Sequence, residues 1–468
     1  MAPLVPAHSD RLLFETKPTR EQRLDAGRAQ RKVLPRTAHA DLALAGGRRD
    51  PLEILARQDA SRVAELVPIR YGRMVATPFT FLRGAAAVMA QDLAAAPQSG
   101  LTVQLCGDAH LSNFGGYAAP DRRLVFDLND FDETLPGPFE WDLKRLAASI
   151  VVASRDTGFP AEWARSAATA AVRQYREMMG HCADMSVMDT WYTRMEADSA
   201  LSTRLEVSAD SERRIQRAVK KARRRTNLQA FEKLTTVEDG RRRIVADPPL
   251  VVPLEEEDVP GVTRRLAATF EEYRATLSGD RRHLLDRFTF VDLAMKVVGV
   301  GSVGTRCLIM LLEDDRGDPL FLQAKEATRS VLEDHLASSR YRNHGRRVVE
   351  GQRLMQATSD IFLGWGHDAE ADVDYYFRQL RDMKLSADVA SFQPETLVEY
   401  ASLCGAAMAR AHARSGDAAA ISGYLGTNDR FDVAVATWAD AYADQSERDH
   451  ALLEAAVADK SIEATIGV

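Results

Sequence analysis

Long apolar runs are missing from this chain. Nowhere does it hold the roughly 18 consecutive apolar residues that a membrane-spanning helix needs. Cysteine is scarce too: Cys106, Cys182, Cys307 and Cys404 lie scattered with no C-x-x-C spacing, which supports neither a disulfide framework nor a zinc site. The opening MAPLVPAHSDRLLFETKPTREQR lacks the apolar segment of a secretory signal. A cytoplasmic protein with no membrane partner is therefore expected. Excess positive charge is also absent; the net charge of −7 argues against wholesale nucleic-acid binding. The one strongly basic stretch, SERRIQRAVKKARRRTN at 211–227, has only Ile215, Ala218, Val219 and Ala222 for an apolar stripe and reads as a solvated helix face, with a phosphate or RNA contact role as the alternative.

What is present is a 468-residue chain, 45% hydrophobic and 28% charged, long enough to bury a large core and to divide into two lobes. Its most informative segment is GDAHLSNF at 107–114, followed by LVFDLNDFDE at 124–133. An apolar strand, LTVQLC, leads into a tight loop that lets Asp108 and Asn113 face one cavity, and a second strand delivers Asp127 beside them. Kinase-type phosphoryl transfer needs this equipment: one carboxylate accepts the hydroxyl proton, while an amide and a second carboxylate hold Mg²⁺ on the nucleotide phosphates. Mg²⁺ takes hard oxygen ligands and keeps several waters, so Asn113 and Asp127 with phosphate oxygens suffice. Asp108 is the candidate base. Asp127 is read as an exposed metal carboxylate whose removal leaves the fold intact. Asp130 and Asp132 either assist the metal or cap the turn, and His110 is expected to hold the loop by a hydrogen bond.

A phosphate-covering loop and a lysine occur much later. In VVGVGSVGTRCLIMLLEDDRGDPLFLQAKEA at 297–327, Gly299, Gly301 and Gly304 form a G-x-G-x-x-G set between apolar runs, RGDP is a turn, and FLQAK returns as a strand carrying Lys325. Glycines allow backbone N–H groups to approach phosphate oxygens closely. A dinucleotide-binding unit would require a helix directly after the glycines; TRCLIMLLE reads as a strand, so a hairpin is expected. Lys325 would contact ATP phosphates, held by a glutamate of the next helix. Glu350 is favoured over Glu333 for that pairing on sequence separation. Arg70, Arg73 and Arg83 form a basic group before the acidic loop that either clamps an anionic substrate or makes internal salt bridges.

The segments PIRYGRM, FTFLRGAA, CGDAHLSNFGGY, FDLNDFDETLPGPFEWDLKRLAAS, KEATRSVLE, VVEGQRLMQATSDIFLGW and FRQLRDMK resemble the bacterial family catalogued as domain of unknown function 2252, from about Arg20 to about Gln445. The GD-x-H-x-x-N form and GPFEWDLKRLAAS, with Asp142 opening a helix, are also similar to aminoglycoside phosphotransferases. Cys106 stands where such enzymes usually carry a histidine that supports the loop. The acidic loop precedes the glycine hairpin, the reverse of kinase order. This implies an α+β, helix-rich, two-lobed protein-kinase-like fold that is circularly permuted, since termini usually lie near one another at the surface.

Four regions are expected: an N-terminal arm at 1–50, a helical lobe with the acidic loop at 51–250, a sheet-containing nucleotide lobe at 262–390, and C-terminal helices at 391–468 packing on the helical lobe. Within them a helical tract is expected from about 139 to 240, and a long helix begins near Pro394 and ends near Gly416. The functional expectation is an ATP- and Mg²⁺-dependent phosphotransferase acting on an unidentified small-molecule or protein hydroxyl. Two alternatives use the same residues: a metal-dependent phosphoester hydrolase, and a nucleotide-binding pseudokinase or nucleotidyltransferase.

Overall fold

The structure, a computed structural model, describes residues 17–196, 234–238, 241–254, 259–380 and 385–468; the basic run at 211–227 lies outside them. The protein is α+β, with several antiparallel sheets among many helices. The largest sheet has six antiparallel strands in the order β11-β12-β10-β9-β8-β7. They are β7 (Val251–Pro253), β8 (Thr289–Lys296), β9 (Cys307–Glu313), β10 (Pro319–Glu326), β11 (Gly364–Asp368) and β12 (Val373–Gln379). The β9–β10 turn forms because the Asp314 carboxylate accepts the N–H groups of Arg316 and Asp318, the usual local bonding of a turn aspartate. β10 is central, so Lys325 lies opposite Cys307 on one side and Tyr376 on the other. One face of the sheet buries Leu293, Met310, Leu322 and Phe377 against the helix Val259–Ala275, where Tyr273 stacks on Phe377 at 4.2 Å.

The second body is helical. The helix Phe139–Asp156 is buried nearly end to end, its polar residues Glu140, Asp142, Lys144 and Arg145 included. The helix Pro394–Ser415 crosses Ala161–Asp184 so closely that a Cβ on Gly405 would lie 2.0 Å from the Ala171 carbonyl oxygen. Arg430–Ala458 also lies against Phe139–Asp156. Two small elements join these bodies: β1 (Thr102–Leu105) pairs with β4 (Leu135–Pro138), and β2 (Phe114–Ala118) pairs with β3 (Leu124–Leu128). The tract expected to be helical as far as 240 instead contains a hairpin, β5 (Thr235–Glu238) with β6 (Arg241–Ile244).

Residues 20–30 of the expected arm form a helix, capped by Thr19 and Gln22 in a reciprocal box. It docks on Ala418–Leu425 through paired glycines: a Cβ on Gly27 would lie 1.8 Å from the Ala420 oxygen, and one on Gly423 2.1 Å from the Leu24 oxygen. Gly27→Val is expected to force these backbones apart and cost about 1–3 kcal/mol, the usual range for overpacking. Thermal unfolding checks this against Gly46→Ala, where a new Cβ meets nothing within 4 Å.

Candidate functional site

The acidic loop between β1 and β2 is held by one face of a buried helix. Asp142, Arg145 and Ser149 recur at three- and four-residue spacing, which stacks them on one side of Phe139–Asp156. Asp142 accepts the backbone N–H of Cys106 at 2.8 Å and of Gly107 at 3.0 Å, and Ser149 Oγ accepts that of Leu111 at 2.9 Å. Arg145 Nε donates to Asp108 Oδ1 at 2.9 Å, and its Nη2 donates to the Leu82 carbonyl at 2.6 Å. Asp142 is itself set by His412 Nε2 at 3.2 Å, whose Nδ1 meets the Tyr175 hydroxyl at 2.9 Å. Support for the loop at Cys106 thus comes from Asp142 and His412. Asn113 Nδ2 donates to the Asp108 carbonyl at 2.8 Å, so the amide oxygen is the end left to accept or to bind a cation.

Asp108 is 20% exposed at its side chain. Burial pushes its carboxyl above the usual range, and Arg145 and Arg83 draw it back down. His110 does not hold the loop through its ring. Its backbone N–H closes the turn on the Asp108 carbonyl at 2.8 Å, while Nδ1 is buried without a partner and Nε2 stands 3.7 Å from Asp108. Burial, with Arg83 and Arg145 nearby, holds that imidazole well below its ordinary pKa and therefore neutral.

The metal reading of Asp127 needs correction. Both its oxygens are 2.5 Å from Arg410 Nη2, and Leu128 N–H donates to it at 2.9 Å. Asp127 is 4% and Arg410 1% exposed, so this is an internal pair between β3 and the helix Pro394–Ser415. The carboxylates that reach the cavity are those just beyond the strand, Asp130, Asp132 and Glu133, around the buried Phe131. Glu133 accepts the Val331 N–H at 2.8 Å. Removing Asp127 would leave a buried guanidinium unpaired, a change that ordinarily costs about 3–5 kcal/mol. Asp127→Ala is thus expected to lower the unfolding midpoint sharply; a variant as stable as the parent in a denaturant titration would show the pair to be dispensable.

The ten residues between β8 and β9 carry the three glycines. Gly299 and Gly304 have φ of 72° and 91°, a region that side chains other than glycine rarely adopt. A Cβ on Gly301 would press to 3.2 Å from the Arg83 carbonyl oxygen. N-terminal residues fasten the loop: Arg73 donates to the Gly299 carbonyl at 2.6 Å, Val63 N–H to the Gly304 carbonyl at 2.8 Å, and Arg62 to the Val303 carbonyl.

Lys325 is 2% exposed and ion-paired with Asp132, whose other oxygen accepts the Tyr376 hydroxyl at 2.8 Å. The expected partner, Glu350, instead lies 3.9 Å from Arg346 on its own helix, His344–Met355; Glu333 accepts the Ser339 N–H at 3.1 Å. The residue of that helix that reaches the lysine's surroundings is Arg347, which donates to the carbonyls of Asp132 at 2.7 Å, Thr134 at 2.9 Å and Thr328 at 2.8 Å.

These parts surround one cavity of about 440 Å³. Asp108, Asn113, Asp130 and Asp132 line it together with Gly299 and Gly301; Asp127, Gly304, Lys325 and Glu350 are not in its wall. Lys325 reaches it through Asp132. Sequence reasoning missed Arg145 as the partner of Asp108, although the Asp142–Arg145–Ser149 spacing was there to be read. Asp130, expected either to assist a metal or to cap the turn, is in the cavity wall, whereas Asp127 is embedded in the strand.

Comparison with curated proteins and with solved structures finds no significant match. A family model described as an uncharacterized protein conserved in bacteria (DUF2252) matches residues 62–456, a span that includes the acidic loop, the glycine loop and Lys325, and the chain belongs to that family.

Proposed function

We propose that the protein is an ATP- and Mg²⁺-dependent phosphotransferase acting on a hydroxyl acceptor, built on a circularly permuted kinase-like scaffold. One observation carries this reading: the glycine loop and the acidic loop, far apart in the chain, line the same cavity. The order around it supports the reading. A glycine loop joins two antiparallel strands, the third strand carries the lysine, and a helix follows, which is the sequence of parts in a kinase nucleotide lobe.

The donor set fits Mg²⁺ once Asp127 is replaced by Asp130. Asn113 and Asp130 supply hard oxygen donors at the cavity wall, and phosphate and water oxygens complete the shell that Mg²⁺ prefers. Bound there, the ion would offset phosphate charge. Among the described residues no three His, Cys, Asp or Glu side chains converge on a single metal position, the denser donor set that the hydrolase alternative calls for. Asp108 takes the proton from the acceptor hydroxyl, oriented by Arg145. The glycine backbone admits phosphate oxygens, and Lys325, behind the wall and paired with Asp132, fixes the carboxylate that faces them.

Calorimetric titration with Mg·ATP, followed by product analysis of any turnover, tests the reading. Asp130→Asn is expected to remove the Mg²⁺ dependence of nucleotide binding. Asp108→Asn should keep binding yet lose about 10²–10⁴-fold in rate, the usual contribution of a general base. Binding of nucleotide that is indifferent to Mg²⁺ and to Asp130 would defeat the proposal, and release of pyrophosphate with a nucleotidylated product would replace it by nucleotidyl transfer.

The pH profile gives an independent check. The base must be ionised, so kcat/KM falls as pH drops through the Asp108 pKa. Because burial raises that pKa, the acid limb is expected above the ordinary aspartate value of about 3.9. Arg145→Gln removes a cation that lowers it, so the limb should move to still higher pH. An acid limb that stays in place in this variant would deny Asp108 the role of base.

A further inference from the structure

Six carboxylates and five arginines line the cavity, Asp130 and Glu133 among the former, and most of these charges already have a partner. Asp132 is paired with Lys325, Asp108 with Arg145, Asp334 with Arg329, and Glu326 with Arg306. Of the basic group before the acidic loop, Arg70 is buried on Asp59 at 2.6 Å and Gln58 at 3.0 Å, and Arg73 is used on the glycine loop. Arg62 is occupied by the Val303 carbonyl, with Asp59 at 3.7 Å. Arg83 is different. It lines the cavity, yet among the described residues it has no ion pair and no hydrogen bond, and its Nε is buried without a partner. Its guanidinium carbon lies 6.0 Å from the Phe79 ring, and its charge acts on Asp108 without an ion pair. Arg49 and Arg57, also in the cavity wall, likewise meet no carboxylate among the described residues.

Position gives this unpartnered guanidinium a meaning. Arg145 bonds at once to Asp108 and to the Leu82 carbonyl, which sets the end of the helix Pro78–Gly84, and with it Arg83, next to the proposed base. Gly301 backs onto the Arg83 carbonyl from the other side. Arg83 therefore stands between the glycine loop and the group that must face the acceptor hydroxyl. A buried guanidinium N–H left without a partner is costly, and a planar fork of donors is suited to a carboxylate or phosphate.

We infer that the acceptor is an anion: a hydroxyl compound that also carries a phosphate or carboxylate, which Arg83 grips beside Asp108 with Arg49 and Arg57 at the wall. This rests on the phosphotransferase reading and narrows it. A polyamine of the aminoglycoside kind would leave the Arg83 guanidinium without a counter-charge.

The test uses the full-length protein saturated with Mg²⁺ and a non-hydrolysable ATP analogue, so that the nucleotide's own phosphate positions are filled. Inorganic phosphate is then titrated in by calorimetry. Saturable binding is expected. Arg83→Gln should weaken it by about tenfold or more, the loss of a charge-assisted hydrogen bond, while the affinity for the analogue stays unchanged; Arg83→Lys should recover part of it. Because Arg83 makes no hydrogen bond or ion pair among the described residues, its replacement leaves no orphaned group there, and an unchanged unfolding midpoint confirms this. Absence of saturable phosphate binding, or binding indifferent to Arg83→Gln, overturns the inference. So does a parallel loss of analogue affinity, which would make Arg83 a ligand of the nucleotide phosphates. If the analogue itself fails to bind, the phosphotransferase reading falls. The same titration on the protein alone then decides whether the anion site stands without it.

Discussion

The ion pair between Lys325 and Asp132 fixes how the two halves of this molecule meet. An ammonium taken out of water is costly unless a counter-charge and further hydrogen bonds replace its hydration. Lys325, at the centre of a six-stranded sheet, finds both outside its own sheet's hydrogen-bonding ladder: Asp132 comes from the segment after β3, and Tyr376 from the neighbouring strand holds the same carboxylate. Arg347 then ties the backbone of that segment to the helix Asn343 caps, bonding carbonyls on both sides of the junction. A sheet that slid by one residue would flip Lys325 to the face packed with Leu322 and Phe377. The approach of the glycine loop to Asp108 is thus a consequence of where a buried cation can be neutralised.

A second tier of polar contacts makes the acidic loop rigid without using up its oxygen atoms. Backbone N–H groups at 106, 107 and 111 are satisfied by Asp142 and Ser149, side chains that stay behind the loop. Asn113 spends its amide nitrogen on the loop's own backbone and keeps its oxygen. Side chains held by such supporting hydrogen bonds keep their orientation. Helix Phe139–Asp156 can do this because it is interior: each of its polar residues has a nearby group to satisfy, from Glu140 on Ser99 to Lys144 over the Trp438 ring at 4.7 Å.

Features with a local cause were legible in the sequence. The glycine hairpin could be placed because its turns depend on residues within a few positions, Gly299 and Gly304 with positive φ and Asp314 bonding its own turn. The helix Pro394–Ser415 announced itself by proline at its start and glycine after its end. What the sequence hid were partners chosen across long separations. In LVFDLNDFDE every second or third residue is acidic, and nothing local says which carboxylate is buried. The decision is made by Arg410, from a helix that closes over β3. Lys325 poses the same difficulty: kinase order directs attention to a glutamate downstream, while the neutralising carboxylate lies upstream in the acidic segment. Spacing rules describe neighbours on one element; they carry no information about which element will arrive opposite.

The length of chain between the two loops restricts their meeting only weakly. Closing a loop costs roughly (3/2)RT ln n, so doubling the intervening chain adds only about 0.6 kcal/mol, which a single buried hydrogen-bonded pair offsets. Stability therefore places little restriction on whether the acidic loop or the glycine loop is made first. Kinetics is less forgiving, because contacts between distant segments must wait for closure before they are rewarded. The chain answers with local structure on each side: a meander of adjacent strands β8, β9 and β10 forms the glycine loop and positions Lys325, while β1 through β4 and the following helix form the acidic loop and its supports. Each half is assembled from near neighbours, and only the final docking, through Lys325, Asp132 and Arg347, spans the molecule. The shared cavity depends on that docked geometry and not on the order in which its parts were encoded.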